Sequence, residues 1–185
     1  MQYRGHCLDR EGPRHRNLRK QAYGNGTRCE ECVDIVTSLT LDEITAGLVV
    51  RVDTNVLRAR GDSQTNAVSG PNGDRAVVGS HDFLIVAVDA PSGICTAVPL
   101  FTKSAVGNTP LVDRKKSGRA ENWIGTDTYF SHWQHWRIPI ASLVAAWQAD
   151  DTSADNRRGY ASGDSAALED IRVWESRNRS AYRDL

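Results

Sequence analysis

Phe83-Leu84-Ile85-Val86-Ala87-Val88, then Ala90-Pro91-Ser92-Gly93, then Ile94-Cys95-Thr96-Ala97-Val98-Pro99-Leu100: this stretch decides the fold. A nearly continuous apolar run rich in β-branched residues, and too short for a core helix, suits a strand buried on both faces. The Pro-Ser-Gly punctuation supplies a tight turn, and the second apolar run returns as the other arm of a hairpin. Upstream, Leu48-Val49-Val50-Arg51-Val52 reads as a further short strand. Between it and the hairpin, Arg58 to Gly79 is rich in Gly, Ser, Asn and Asp and is expected to be a long loop, a length more often functional than structural. Downstream, Tyr129 to Ile140 alternates and is expected to form one strand. That places Tyr129, Trp133, His135 and Arg137 on one side, with Phe130, His132, Trp136, Ile138 and Ile140 on the other.

Helical signals are few. Thr40-Leu41-Asp42-Glu43-Ile44 has the spacing of a capping box, and Ser142 to Gln148 suits a short helix. Asp164 to Arg177 carries Ala167, Leu168, Ile171 and Trp174 at helical steps after a polar linker from Asp150 to Gly163, so a C-terminal amphipathic helix is expected. Gly107 to Gly125 has no apolar periodicity and reads as a loop. The fold expected is mainly β with α additions: a small β-barrel over residues 39–149, preceded by a basic, cysteine-bearing segment (1–38) and followed by a linker and helix (150–185).

The chain has 185 residues, of which 39% are hydrophobic, enough for one core of barrel size with appendages. It contains no run of eighteen apolar residues, so no membrane-spanning helix is expected. Met1 to Cys7 has no apolar segment of the kind a secretory signal needs, and a cytoplasmic location is expected. The 23 basic groups balance the 23 acidic ones, but unevenly along the chain. Residues 1–28 carry Arg4, Arg10, Arg14, Arg16, Arg19, Lys20 and Arg28 against Asp9 and Glu11, and Arg114-Lys115-Lys116 with Arg119 forms a second basic cluster. Nucleic acid is therefore a candidate partner despite the zero sum. No Gly-rich phosphate loop is present, which removes nucleotide-dependent chemistry from consideration.

Cys29-Glu30-Glu31-Cys32 has the two-residue spacing that lets both thiolates take adjacent corners of a zinc tetrahedron. Cys7 is the natural third ligand and His6 or His15 the fourth, giving Cys7, His15, Cys29 and Cys32 as the preferred set. Free thiols or a redox pair are the other reading of these cysteines. Cys95 lies in an apolar strand and is expected to be a small core residue. Arg19 to Cys32 also resembles the opening of HNH nucleases, where a basic helix leads into a zinc knuckle. The Asp-His pair of that family does not follow, so its activity is not carried over.

The order of short strand, long polar loop, buried strand, hairpin to a Val98-Pro99-Leu100 segment ending in Thr102, and a strand running into a short helix resembles the MazF/PemK-like toxins. The residues that carry the resemblance are Gly47 to Asp53, Phe83 to Asp89, Thr96 to Ser104, and Tyr129 to Leu143. It implies an SH3-like barrel that cleaves single-stranded RNA without added metal. It also brings an antitoxin protein and a second copy of the chain as partners. The family's catalytic pair is an arginine just before the second strand and a hydroxyl residue just after the third. Thr102 matches the latter, with Ser104 as a neighbour able to replace it. At the former position stands His81, with Arg75 the nearest arginine in the loop before it. Arginine stays charged, whereas histidine titrates near neutrality and can move a proton.

Cleavage by an internal 2′-hydroxyl needs a base, an acid for the departing 5′-oxygen, and positive charge on the phosphate between them. His81 can be base or acid, with His135 or His132 as its partner. Lys103, Arg75, Arg114, Lys115 and Lys116 are the candidate phosphate contacts. Trp133, His135 and Arg137 have the mixture of aromatic ring, imidazole and guanidinium that single-stranded RNA uses for stacking and phosphate contact. Each has a plainer reading: His132 as a core or rim residue, the His135 face as a protein contact, and Thr102 as a hydroxyl satisfying a strand end. Two further classes of function stay open, a non-catalytic zinc-containing nucleic-acid-binding module and a phage or accessory protein-interaction domain.

The cysteine spacing generates a first prediction. Protein purified without chelator should carry about one zinc per chain, as the four-ligand set requires, and a Cys29→Ser, Cys32→Ser double variant should lose it. Elemental analysis of the two proteins checks this, and equal zinc in both would refute the ligand set.

Overall fold

The structure is a computed structural model. It describes residues 39–67, 76–105, 108–118, 123–131, 134–150, 157–161, 168–169, 171 and 182–185, all within the unit Val36–Leu185. The segment 1–38 lies outside the described residues, and with it the zinc ligand set.

Among the described residues the chain is mainly β, an antiparallel sheet with two helices. The strands are β1 (Leu48–Asp53), β2 (Gln64–Thr65), β3 (Ser80–Asp89), β4 (Ile94–Phe101), β5 (Asn108–Pro110), β6 (Lys116–Ser117), β7 (Tyr129–Ser131), β8 (Trp136–Pro139), β9 (Arg158–Tyr160) and β10 (Arg183–Asp184), and the helices are α1 (Thr54–Arg60) and α2 (Ile140–Gln148). Hydrogen-bonded neighbours run β10-β2-β8-β4-β3-β1-β9-β6 along an open path, with β7 beside β4 and β5 beside β7.

The β3–β4 hairpin is the centre. Gly93 at φ 65° closes the turn, its N–H donating to the Ala90 carbonyl at 3.3 Å, and Ser92 Oγ donates to Asp89 Oδ2 at 2.6 Å. The left-handed backbone at Gly93 is where a side chain would be strained. Both faces of these strands are buried, which explains the unbroken apolar run. Val50, Val52, Phe83, Ile85, Ala97, Trp136 and Ile138 pack on one face with Leu57 of α1 and Leu143, Ala146 and Trp147 of α2. Val49, Leu84, Val86, Val98, Leu100, Trp123, Phe130 and Tyr160 pack on the other, joined by Leu168 and Ile171.

Several expectations need correction. The stretch from Arg58 is not simply a loop: α1 begins at Thr54, with the Asp53 side chain accepting from the Asn55 N–H at 2.9 Å and Gly61 closing it at φ 64°. The strand β2 then follows. With Leu57 its only fully buried apolar residue, this seven-residue helix has too little periodicity to register as one. Gly107 to Gly125 contains β5, β6 and a 3-10 turn at Asp113–Lys115. The supposed linker after Asp150 contains β9, which pairs with both β1 and β6. The expected strand from Tyr129 to Ile140 is broken into β7 and β8. Leu100 faces Phe130 and Ala97 faces Trp136, so three positions along β4 correspond to six on the other side, and the simple alternation fails there. The turn at Thr40 has its capping box, with Glu43 Oε2 accepting from the Thr40 N–H at 2.8 Å and from its hydroxyl at 3.0 Å. The helix expected over Asp164–Arg177 lies outside the described residues except for Leu168, Glu169 and Ile171.

Phe83 meets Trp136 edge to face at 5.3 Å between ring centroids and is fully buried. Phe83→Ala should therefore destabilise the fold by about 3–5 kcal/mol in urea or guanidinium unfolding. Val78→Ala, at an exposed position, should stay within about 0.5 kcal/mol of the parent.

Candidate functional site

Antiparallel pairing brings the start of β3 beside the end of β4. Phe83 is opposite Pro99, so continuing the register by two residues sets His81 against Phe101; their rings lie 6.4 Å apart, edge to face. A cleft of about 550 Å³ opens at this end of the sheet. Ser80, His81 and Asp82 line it from β3, Leu100 to Lys103 from β4 and the turn after it, and Arg51 from β1. Ala105, Asn108, Ser131 at the end of β7 and Gln134 in the break before β8 complete the wall.

The charges in the cleft are coupled. Arg51 is opposite Asp82 in the β1–β3 ladder, with its Nη1 3.8 Å from Asp82 Oδ1 and its Nε 3.6 Å from Oδ2 of the buried Asp150. Arg158 of β9 reaches Asp82 from another side, Nη1 donating to Oδ2 at 2.7 Å. Burial pushes the His81 imidazole below the usual histidine pKa, and the Arg51 guanidinium adds to that; the Gly79 backbone and the Asp82 carboxylate act in the opposite direction. The neutral ring is thereby favoured, the form that can accept a proton.

His81, Thr102 and Lys103 are thus brought together. Ser104 is exposed and does not line the cleft. His135 is not on an open face: it is fully buried, its N–H donating to Asn66 Oδ1 at 2.6 Å and its carbonyl accepting from the Asn66 N–H and the Thr65 hydroxyl. Its backbone ties the β7–β8 break to the segment after β2, and its ring does not line the cleft. Gln134 lines the wall instead, with Oε1 accepting from the Val77 N–H at 2.8 Å and from Trp136 Nε1 at 3.1 Å. Lys116 is likewise not a surface cation. Its buried Nζ is 2.7 Å from Asp113 Oδ1, donates to the Thr126 carbonyl and to Thr128 Oγ1, and lies 4.9 Å from the Trp123 ring centroid. Arg114 and Lys115 lie on the 3-10 turn at Asp113–Lys115, outside the cleft lining, and Arg137 packs over Tyr182 at 5.7 Å. Arg75, His132, Trp133 and the zinc set Cys7, His15, Cys29 and Cys32 with its alternative His6 fall outside the described residues.

Sequence reasoning missed Arg51, Asp82 and Arg158. Arg51 carried a signal, being the lone cation inside an apolar strand. Asp82 adjoins His81 and could have been paired with Arg51 once the register was known. Arg158 carried none, because the β1–β9 pairing spans about a hundred residues of sequence with no hydrophobic pattern to announce it. Comparison of the chain with protein-family models, curated proteins and solved structures returns no match. No helix among the described residues is long and apolar enough to cross a membrane.

The lowered His81 pKa sets the sign of a pH effect. Unfolded histidine binds a proton more readily than folded His81, so this residue's contribution to stability is present above the ordinary histidine value and is lost as pH falls below it. Going from about pH 7.5 to about 5.5 should lower the thermal midpoint of the parent more than that of His81→Gln. Parallel shifts in the two proteins would count against the burial of this ring.

Proposed function

We propose that the chain is an endoribonuclease acting on single-stranded RNA in the cytoplasm, of the MazF/PemK-like toxin kind, with an SH3-like barrel built around the β3–β4 hairpin. The observation that carries the reading is the convergence of His81, Thr102 and Lys103 on one cleft, with Arg51 on the same wall. Arg51 answers the doubt raised by histidine standing at the family's arginine position: a guanidinium is supplied from β1 instead. A zinc-held N-terminal segment adds basic surface, and an antitoxin and a second copy of the chain are the protein partners of this reading.

In the proposed reaction neutral His81 takes the proton of the 2′-hydroxyl, whose oxygen attacks the adjoining phosphorus. The bond from phosphorus to the 5′-oxygen breaks, leaving a 2′,3′-cyclic phosphate on one fragment. The departing oxygen takes its proton from solvent in the open cleft. Lys103 and Arg51 hold the negative charge that builds on the phosphate, and the Thr102 hydroxyl donates to one of its oxygens.

A second reading, a non-catalytic nucleic-acid-binding module, is favoured by one observation: Asp82 and Asp150 already occupy Arg51, the guanidinium of the cleft. Cleavage assays separate the two. Without added divalent metal, the parent should cut single-stranded RNA to products with cyclic phosphate ends, and His81→Ala should slow this by roughly 10²–10⁴-fold. Salt-sensitive binding with every RNA left intact would establish the module and overturn the enzyme.

A further inference from the structure

We propose that a smaller cleft beside the first is a second nucleotide subsite, which receives the residue adjoining the scissile phosphate and makes the ligand an oligonucleotide. This rests on the endoribonuclease reading of the larger cleft. The smaller cleft has a volume of about 200 Å³ and is lined by Trp123, Thr126, Thr128 and Arg158. It shares Asp82, Leu100, Phe101 and Thr102 with its larger neighbour, so the two adjoin at the end of β4. A phosphate held at Thr102 lies on the boundary between them. An extended RNA strand crossing that boundary therefore places one nucleotide on each side.

Arg158 is the group suited to receive the second nucleotide, and the proposed reaction does not otherwise use it. Its guanidinium is held at two points, by the 2.7 Å bond to Asp82 and at 5.7 Å from the Trp123 ring centroid. Its side chain lines the smaller cleft and keeps 16% of its surface exposed. A planar cation fixed in this way offers a face on which a base can stack and N–H groups for a phosphate or a base acceptor. Trp123 is itself anchored, with Nε1 donating to the Ser117 carbonyl at 3.0 Å, and Lys116 packs against the same ring. The Thr128 hydroxyl is taken up by Lys116 and the Thr126 carbonyl. Thr126 contributes a half-buried side chain that lines only the smaller cleft. Inorganic phosphate or a mononucleotide would fill one of the two spaces; a strand of two or more nucleotides fills both.

The test blocks the smaller cleft and leaves the larger untouched. Thr126→Tyr and, separately, Arg158→Gln are compared with the parent for binding of a fluorescent, non-cleavable 2′-O-methyl tetranucleotide and of a nucleoside 3′-monophosphate, with thermal midpoints taken to show that each variant is folded. The expected result is that the tetranucleotide binds the parent more tightly than the monophosphate does. Both variants should then weaken the tetranucleotide by about tenfold or more, the scale of one lost stacking contact, while Thr126→Tyr, which does not touch Asp82, leaves monophosphate binding unchanged. If folded variants bind the tetranucleotide as the parent does, or if the parent does not distinguish the two probes, the second subsite is wrong while RNA binding at the larger cleft stands. If neither probe binds the parent even at low salt, the RNA reading fails and the subsite fails with it.

Discussion

The pairing of β3 with β4, buried on both faces, is the constraint on which the rest of the structure depends. Leu84, Ile85, Val98 and Ala97 have no exposure to water, so their backbone groups must find partners in the ladder itself. A slip of one residue would exchange the two faces, putting Phe83 where Leu84 belongs and losing the fit to Trp136 on one side and to the opposite core on the other. Gly93 fixes one end of the hairpin, and an irregularity between Ile85 and Ala87 is absorbed within it. The far end then has no freedom: His81 must lie across from Phe101, and Thr102 must emerge beside Ser80. The cleft is thus a geometric consequence of a turn nine residues from Thr102 and twelve from His81 in sequence.

The strand β4 has a second role, because it pairs with β8 along its first half and with β7 along its last two residues. Gln134 and His135, just before β8, stand outside the pairing with β4. Polar side chains take over there. Asn66 and Thr65 bond the His135 backbone, and Gln134 accepts from Val77 and Trp136. The bonds to the His135 N–H and carbonyl satisfy groups that a continuous strand would have paired, and Gln134 and Ser131 reach the wall of the cleft. A buried break of this kind is tolerated only because those partners are present.

How much of this was legible follows from the range of the interactions. The hairpin, β1 and α2 were readable because their signals are local: an apolar run, a Pro-Ser-Gly turn, a short helical period. His81 and Thr102 were set side by side only by the resemblance to a family; the register fixed by the turn at Gly93 is what brings them to one end of the hairpin. The environment of His135 was not, since alternation assumes an unbroken strand and nothing local announces the detour at Gln134. Lys116 looked like one of three similar cations, and only the distant approach of Thr126, Thr128 and Trp123 buries it. The short strands β2, β6, β9 and β10 owe their conformation to their neighbours, with two or three residues each and no periodicity of their own.

The balanced charge of the whole chain recurs on a small scale at the cleft. Arg51 faces Asp82 and Asp150, and Arg158 faces Asp82, so neither guanidinium presents a bare charge to an approaching phosphate. These pairs fix the direction of the guanidinium groups while lowering the field they project, which favours a ligand that can offer acceptors at set positions over any diffuse anion. Lys103, exposed on the turn after β4, has no carboxylate partner among the described residues and provides the unneutralised charge at the mouth. Attraction would then come from Lys103 and placement of the phosphate from the paired Arg51. His81 would be kept neutral by the same burial and the same Arg51 that shape the wall, so the group proposed to move a proton and the groups proposed to hold the phosphate depend on one another electrostatically. A change at Asp82 would take a carboxylate from both arginines, leaving Arg51 to Asp150, and alter the imidazole together, which makes that carboxylate the point where the sheet's register and the chemistry of the cleft are joined.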